Sequence, residues 1–192
     1  NGWDILRKVV PENTFSLLLE NVKVGHVVPD LSVFEKQTIY NLRKMSTSQI
    51  AELPDVNEGL ENAIKNAANS CNSVVEFLNI IKSKRYTNTR LQRILLYSLL
   101  GITKKDMELS KKVIPYVRIL GFNNKGKYLI SEIAKANPKL EIITSVKKYM
   151  DTSNNKTSKY ILEKDIWATN VYTIGYEYDS WNNLDYTHKL VQ

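Results

Sequence analysis

The chain has 192 residues, of which 43% are hydrophobic and 24% are charged, a composition typical of a globular protein with a substantial core. Its formal net charge is +7, and its one cysteine, Cys71, excludes an internal disulfide and is typical of a reducing cytoplasm. The longest apolar run, residues 94–102, is too short to cross a bilayer, and two histidines with one cysteine exclude a Cys/His zinc site within the chain.

Helix signals follow one another through the first half of the chain. Three segments, which begin at Ser32, Ser46 and Ser73, fit the capping-box pattern, in which the Ser side chain accepts a hydrogen bond at the helix start and a Glu or Gln reaches back. A fourth segment, which begins at Asp55, is a looser version with an Asp cap. Apolar residues at three- and four-residue spacing follow each segment. These patterns predict helices near residues 3–10, 14–24, 33–45, 47–52, 57–70, 74–82, 88–100 and 104–111.

The pattern changes after Lys112, where a strand–helix–strand unit is predicted. Its strands cover residues 116–122 and 140–144, its helix covers residues 124–136, and such a unit joins two parallel strands by a right-handed crossover. A polar loop (151–158), a closing helix (160–176) and an irregular tail follow. The expected fold is mainly α, a multi-helix assembly (1–112) with a small βαβ insert (113–145) and a long C-terminal helix with its tail (146–192).

Positive charge is concentrated in the middle of the chain. Residues 82–127 contain twelve basic and two acidic side chains, so this segment carries +10 and the remainder is slightly acidic. A basic block in an otherwise balanced chain is typical of a polyanion-binding face. A solvated, lysine-rich surface is the alternative interpretation.

The stretch KSKRYTNTRLQR, residues 82–93, is the most informative part of this block, because it has five basic residues and no acidic one. Arginine forks suit phosphate oxygens, and a tyrosine among them can stack on an unpaired base. The candidate RNA-binding residues here are Lys82, Lys84, Arg85, Tyr86, Arg90 and Arg93. In the alternative interpretation, Arg90 and Arg93 pair internally with an acidic run formed by Glu52, Asp55, Glu58 and Glu61.

The stretch GFNNKGK, residues 121–127, lacks two parts of a nucleotide-binding P-loop. Tyr128 stands where a small hydroxyl would hold magnesium, and the second predicted strand does not end in a metal-binding Asp. Turn chemistry accounts for the glycines, and Asn123 or Asn124 is suited to capping the following helix. The exposed start of that helix could still hold one backbone phosphate, which adds Arg118, Asn123, Lys125 and Lys127 to the candidate RNA-binding residues.

Four segments occur in an order that resembles one protein family: ELPDVNEGLENAI, KSKRYTNTRLQRILL, RILGFNNKGKYL and KDIWATNVYTIGY. Together they resemble the C-terminal half of the bacterial tRNA(Met) cytidine acetate ligases, a HIGH-type nucleotidyltransferase-like family. The likeness runs from about Trp3 to the end of the chain. Two positions depart from the family pattern, since Ala63 stands where a basic residue is usual and Asn170 where an Asp is usual.

The resemblance implies an enzyme that uses ATP, acetate and magnesium to form acetyl-adenylate and then acetylates the wobble cytidine of elongator tRNA(Met). The family's nucleotidyltransferase domain carries a His-rich signature that this sequence lacks. We therefore expect residues 1–192, which open on Asn1, to be the tRNA-binding C-terminal domain of a larger cytoplasmic protein. Alone it is expected to be inactive, with no catalytic, cofactor or metal site. Its expected partners are elongator tRNA(Met) and its own N-terminal catalytic domain, and no membrane is implied.

Two other roles stay open at this point. The chain could be a structural or homodimerisation domain that braces the catalytic half, with an apolar interface marked by Trp3, Leu6 and Phe15. It could also be a general RNA-binding helical module. The surface that meets the anticodon arm is not specified by the sequence.

Overall fold

Helices make up the regular structure in the described residues of the first half of the protein. In the computed structural model, which describes residues 2–28, 30–57, 59–113, 116–178, 183–187 and 190–191, the helices start and stop close to the predicted positions. The chain runs through α1 (Gly2–Val9), α2 (Glu12–Lys23), a 3-10 helix (Leu31–Phe34), α3 (Glu35–Lys44), α4 (Thr47–Ala51), α5 (Leu60–Ser70), α6 (Val74–Ile81), α7 (Asn88–Leu100) and α8 (Lys104–Lys112).

The second half contains the predicted strand–helix–strand unit. Strand β1 (Val117–Arg118) pairs in parallel with β2 (Ile142–Ile143), and α9 (Asn124–Ala136) connects them. Both strands are shorter than predicted. The extended backbone continues past β1, since the Ile119 N–H donates to the Ile143 carbonyl at 2.9 Å and Gly121 forms a parallel bridge with Val191. The predicted mainly α fold with a two-stranded parallel insert is confirmed.

Two helices in this half were not predicted, one before the closing helix and one in the tail that was expected to be irregular. The chain forms α10 (Val146–Thr152), α11 (Lys156–Ile174) and α12 (Leu184–Thr187) after β2. The predicted polar loop over residues 151–158 is therefore wrong except at residues 153–155. Helix formation extends into it because Ser145 accepts from the Lys148 N–H and Asn155 accepts from the Ser158 N–H, so a side chain caps each helix start.

Two of the four predicted capping residues work as expected. Ser46 forms a complete box with Gln49, and Ser73 accepts from the Glu76 N–H. The box predicted at Ser32 is wrong, because Asp30 caps the 3-10 helix there. Glu35 instead accepts from the Val74 N–H at 2.9 Å, so it caps the start of α6 from across the fold. The fourth box includes Glu58, which lies outside the described residues.

The main hydrophobic core lies between α3, α4, α5, α6 and α7. Fully buried aliphatic side chains from these helices meet there, among them Leu42, Ile50, Leu60, Ile64 and Ile94. Burying a side chain of this size contributes about 1.5–3 kcal/mol, so this core is the main source of stability for the helical part. A second, smaller core joins β2, α10 and α11 through Ile143, Val146, Leu162 and Ile166.

Helices α3 and α5 cap each other through two basic side chains. Arg43, near the end of α3, donates to the carbonyls of Ala68 and Cys71, each at 2.7 Å. Lys65, in α5, donates to the carbonyls of Arg43 at 2.5 Å and Met45 at 2.6 Å. The last carbonyls of a helix have no partner within it, so each helix supplies donors for the end of the other. These two cations are therefore structural.

The proposed apolar interface at the start of the chain is wrong at one position. Phe15 is buried, with its ring at 6.2 Å and edge-on to that of Trp3, because α1 and α2 pack against each other there. Trp3 is 37% exposed and Leu6 is half-buried. The most exposed apolar residues of these two helices are Ile5 and Val9.

Candidate nucleic-acid interface

A tight turn connects α6 to α7 and carries the first group of candidate residues. Helix α6 ends at Ile81 with Lys82 as its C-cap, and the backbones of Ser83 and Tyr86 hydrogen-bond to each other in both directions at 3.2 and 3.3 Å. The Ser83 hydroxyl also accepts from the Tyr86 N–H. Thr87 then accepts from the Arg90 N–H and starts α7. The turn is thus fixed by its own hydrogen bonds, which holds its side chains on a rigid base.

Three cations project from this turn without an acidic partner. Lys82, Lys84 and Arg85, here named the basic turn, are exposed, and no ion pair in the described part of the chain involves them. Lys84 and Arg85 precede the N-terminus of α7, where the helix dipole disfavours positive charge, whereas Lys82 is the C-cap of α6, where the dipole favours it. An anion bound there would relieve this unfavourable interaction, so the basic turn is suited to a phosphate.

Tyr86 connects the basic turn to the main core. Its ring is half-buried and packs against the core residues. The guanidinium groups of Arg85 and Arg90 lie 5.5 and 5.3 Å from the ring centroid, within the range of cation–π attraction. A base that stacks on this ring must therefore displace a guanidinium, and the exposed Arg85 is the easier one to move.

Arg90 and Arg93 both engage Asp55, but only Arg93 does so through the carboxylate, as the internal-pairing interpretation expects. The Arg90 guanidinium donates twice to the Asp55 backbone carbonyl, at 3.0 and 2.6 Å. The Arg93 guanidinium donates to the Asp55 carboxylate at 2.9 and 2.8 Å. Asp55 has a positive φ of 64°, an uncommon conformation for a non-glycine residue. These two arginines are thus tied to the turn before α5, while the basic turn is not.

The second group of candidate residues lies at the start of α9. Asn123 accepts from the Gly126 N–H at 2.9 Å, so it is the predicted helix cap. Lys125 and Lys127 are exposed, and no ion pair among the described residues involves them. Arg118 differs from these lysines, because it is three-quarters buried and forms an ion pair with Asp185. No local pattern predicts this ion pair, since the two residues are far apart in the chain.

The glycines of GFNNKGK have structural explanations in this turn. A Cβ atom on Gly121 would lie 3.1 Å from the Cβ and the carbonyl oxygen of Val191, so the close approach of two backbones favours glycine there. A Cβ atom on Gly126 would lie 3.0 Å from the Cβ of Phe122, so this position also favours glycine. Tyr128, at the position where a P-loop needs a small hydroxyl, is 66% exposed.

The structure places the two groups of candidate residues on different parts of the fold. The basic turn stands on the main core, whereas Arg118 and the α9 cations belong to the βαβ unit. Of the two family departures, Ala63 is exposed on α5, and Asn170 accepts from the Asn183 N–H at 2.8 Å. In the described part of the chain, no cluster of three or more His, Cys, Asp or Glu side chains could hold a metal ion. None of the described helices is long and apolar enough to span a membrane.

Comparison with known proteins places the chain in a family. The model of the HIGH nucleotidyl transferase family matches residues 1–186. The chain belongs to this family. The sequence-based expectation of the family is thereby confirmed, while its assignment to the C-terminal half stays a prediction.

Relatives within the HIGH nucleotidyl transferase family carry a more specific name. A tRNA(Met) cytidine acetate ligase from Thermoanaerobacter pseudethanolicus is 37% identical over 193 residues, which cover 100% of this chain and 46% of the relative. One from Acetivibrio thermocellus is 36% identical over 176 residues, covering 91% of this chain and 42% of the relative. The chain therefore spans about half the length of the curated relatives it matches.

Solved structures of the family show the same fold. The apo crystal structure of Thermotoga maritima TmcAL matches with a TM-score of 0.88 and 25% identity, over 98% of this chain and 47% of that one. A second form of that protein, bound with alpha-thio ATP, matches with a TM-score of 0.87 over 48% of its length.

Proposed function

We propose that the chain is the tRNA-binding region of an ATP-dependent ligase that activates acetate as acetyl-adenylate and acetylates the wobble cytidine of elongator tRNA(Met). One observation carries the proposal: Lys82, Lys84 and Arg85 are presented on a rigid turn without an acidic partner among the described residues. The names of the relatives support the tRNA substrate, and the basic turn supplies the chemistry that a phosphate backbone requires.

In this proposal, residues 1–192 form the C-terminal part of the ligase, with a helical part (1–112), a βαβ unit (113–145) and a closing helix with its tail (146–192). ATP, acetate and magnesium bind in the part of the relatives that this chain does not cover. The two histidines of the chain, His26 and His188, lie far apart in the sequence and do not form a His-rich signature. The enzyme acts in the cytoplasm, and the chain alone is inactive.

The contacts of the candidate residues allow an estimate of the salt dependence. Arg90, Arg93 and Arg118 have partners within the protein, which leaves the three cations of the basic turn together with Lys125 and Lys127 for phosphates. Five phosphate contacts correspond to a slope of roughly −3.5 to −4.5 in log Kobs against log salt concentration. Between 50 and 200 mM salt, the affinity for elongator tRNA(Met) should then fall on the order of a hundredfold or more.

The test compares two charge-reversed variants with the same change in net charge. Lys84→Glu with Arg85→Glu alters the basic turn, and Lys147→Glu with Lys148→Glu alters two exposed lysines of α10. Binding of elongator tRNA(Met) is measured by filter retention across a salt series, with a second tRNA as the specificity control. We expect the first variant to bind weakly and its slope to become shallower by roughly 1.4–1.8, while the second stays close to the unmodified chain. Equal losses in both variants would show a non-specific charge effect and would contradict the proposal.

A structural or dimerisation role is the second candidate, and exposed apolar residues on α1 and α2 favour it. Ile5 is 67% exposed, Val9 is 71% exposed and Leu17 is 59% exposed, which is an unusual concentration of apolar surface. If the unmodified chain does not bind tRNA at 50 mM salt, the structural or dimerisation role is better supported than the tRNA-binding role. Sedimentation of the chain, with Ile5→Lys as the variant, then tests whether this surface joins two copies.

A further inference from the structure

The last described residues of the chain fold back onto the ends of the two parallel strands. Residues 183–187 and 190–191, here named the C-terminal segment, form one wall of a cleft of about 820 Å³. The opposite wall follows the carboxyl ends of β1 and β2, an edge at which parallel sheets commonly bind ligands. The C-terminal segment therefore covers part of a surface that is suited to a ligand.

Backbone groups attach both ends of the C-terminal segment to the rest of the fold. Near its start, the Asn183 N–H donates to the Asn170 side chain at 2.8 Å. Near its end, the Val191 N–H donates to the Leu120 carbonyl at 3.3 Å, and the Val191 carbonyl accepts from the Phe122 N–H at 2.9 Å. The bond at 3.3 Å is long for this type, and the Val191 side chain is exposed. Such an attachment is expected to open locally, without unfolding of the rest of the protein.

The Arg118–Asp185 ion pair joins the middle of the C-terminal segment to the end of β1. Arg118 is three-quarters buried, and it is the basic residue among the described residues of the cleft lining. The Asp185 side chain is 9% exposed, and its oxygen Oδ2 is buried without a hydrogen bond. A buried acceptor without a donor is unfavourable, so this ion pair stabilises the closed arrangement less than a fully hydrogen-bonded one would. Opening of the segment returns both charges to water.

Arg118 lies beside groups that are suited to a phosphate. The Ser145 hydroxyl accepts from the Lys148 N–H, so its own O–H is left to donate, and Thr144 is exposed in the same cleft lining. A guanidinium with hydroxyl donors nearby is a common arrangement for binding a phosphate of a nucleic acid. In the closed arrangement, however, the Asp185 carboxylate is already bound to this guanidinium. A phosphate and the C-terminal segment would therefore compete for Arg118.

From this competition we infer that the Arg118–Asp185 ion pair is an autoinhibitory contact, which must open before Arg118 can bind a phosphate of an RNA backbone. The closed chain then binds RNA with one phosphate contact fewer than the open chain. Because each anion excludes the other, RNA binding at Arg118 and docking of the C-terminal segment oppose each other. The identity of the phosphate as one of a tRNA rests on the proposed function.

Amide hydrogen exchange at Phe122 measures whether the C-terminal segment is docked, because this N–H donates to the Val191 carbonyl. The Ile119 N–H, which donates to the Ile143 carbonyl within the sheet, is the internal control. We expect saturating elongator tRNA(Met) to accelerate exchange at Phe122 about tenfold or more and to leave Ile119 unchanged, as measured by NMR. A ligand that binds the closed chain would slow exchange instead. Unchanged or slower exchange at Phe122 in the tRNA complex would overturn the inference.

Asp185→Asn tests the ion pair itself, since it leaves the buried Arg118 guanidinium without a countercharge. In the absence of RNA, exchange at Phe122 should become roughly tenfold faster. The slope of log Kobs against log salt concentration for tRNA should become steeper by about 0.7–0.9, which corresponds to one more phosphate contact. Asp151→Asn, at an exposed position of α10 outside the cleft, changes the net charge equally and should keep the slope of the unmodified chain. Equal slopes in the two variants would overturn the inference.

Val191→Pro opens the C-terminal segment without changing any charge, and it keeps the test valid if Asp185→Asn fails to fold. Proline lacks the N–H that donates to the Leu120 carbonyl, and its ring would meet that carbonyl. We expect faster exchange at Phe122 together with a salt slope that is steeper by about 0.7–0.9. Faster exchange without a steeper slope would show that the opened segment frees no phosphate contact, which contradicts the inference.

A small anion separates this inference from the proposed function. If the unmodified chain does not bind tRNA, the proposed function fails, and tripolyphosphate replaces RNA as the probe. Faster exchange at Phe122 in tripolyphosphate than in sodium chloride of equal ionic strength would then support the autoinhibitory contact, and equal exchange in the two salts would overturn it. Binding of tRNA with no change at Phe122 would contradict this inference alone.

Discussion

Arg90 and Arg93 lie one turn apart and contact the same residue, yet their replacement should have different effects on stability. Arg90 donates two hydrogen bonds to the half-buried Asp55 carbonyl and lies 5.3 Å from the Tyr86 ring. A hydrogen bond from a charged group contributes about 1.5–3 kcal/mol and a partly exposed cation–π contact about 0.5–1 kcal/mol. Arg90→Ala should therefore lower the free energy of unfolding by about 2–4 kcal/mol.

Arg93 has a weaker role, because its side chain is 48% exposed and that of Asp55 is 35% exposed. Exposed ion pairs contribute about 0.2–1 kcal/mol and are screened by salt. Arg93→Ala should therefore have a small effect that disappears in high salt, while the effect of Arg90→Ala persists. Arg90→Lys should behave like Arg90→Ala, since a lysine cannot supply the two-pronged guanidinium contact.

Urea unfolding followed by far-UV circular dichroism, in low salt and in 0.5 M salt (roughly a 4 Å screening length), measures these differences. The reasoning would be refuted if both alanine variants lost the same stability, or if Arg90→Ala lost less than about 1 kcal/mol. Either result would mean that the turn before α5 does not depend on the Arg90 contact.

Two further predictions concern stability. Asp106→Ala should lower the free energy of unfolding by about 2–4 kcal/mol at pH 7, because the buried Asp106 carboxylate accepts hydrogen bonds from the Tyr160 hydroxyl and from the Thr103 N–H at the start of α8. As the control, Glu108→Ala at an exposed position should change the free energy of unfolding by less than about 0.5 kcal/mol. Burial alone would raise the pKa of Asp106, but these hydrogen bonds and a nearby lysine outweigh burial and hold the pKa below its ordinary value of 3.8. The contribution of Asp106 to stability is therefore complete above about pH 4 and is lost as the pH falls further. Urea unfolding should show a smaller stability difference between Asp106→Ala and the unmodified chain at pH 3 than at pH 7, and the same difference at both pH values would contradict this reasoning. Gly25→Ala should be more destabilising than Gly101→Ala. Both glycines have a positive φ, but of the two only Gly25 has other atoms close to the position of a Cβ, with the Tyr178 ring at 2.7 Å. Thermal unfolding compares the two variants, and equal losses of stability would show that the ring moves away.

Local signals in the sequence were sufficient for most of the helices. Helix α9 has the predicted bounds, because Asn123 caps its start and an Asn-Pro pair follows its end. Helix α10 was missed because Ser145 is followed by lysines and has no Glu or Gln to complete a capping box. The strands were predicted too long because strand propensity is a property of residues, whereas strand length depends on the partner that the fold supplies.

The candidate site could be predicted only in its local part. The turn between α6 and α7 and its Thr87 cap follow from neighbouring residues. Neighbouring residues do not indicate which arginines have an internal partner. That depends on the positive φ of Asp55, which Arg90 and Arg93 contact, and on Asp185, which pairs with Arg118 from near the end of the chain. Contacts between residues so far apart in sequence leave no periodic signal in the sequence.

The reciprocal capping of α3 and α5 has a consequence for how this protein opens. Arg43 lies in the last turn of α3, so fraying of that end removes the donor that holds the last carbonyls of α5. Lys65 lies in the middle of α5, so it keeps its hydrogen bonds to the end of α3 when the last turn of α5 frays. The coupling therefore runs in one direction: the end of α5 is expected to open whenever the end of α3 opens, and its last-turn amides should be no better protected against hydrogen exchange than those of α3.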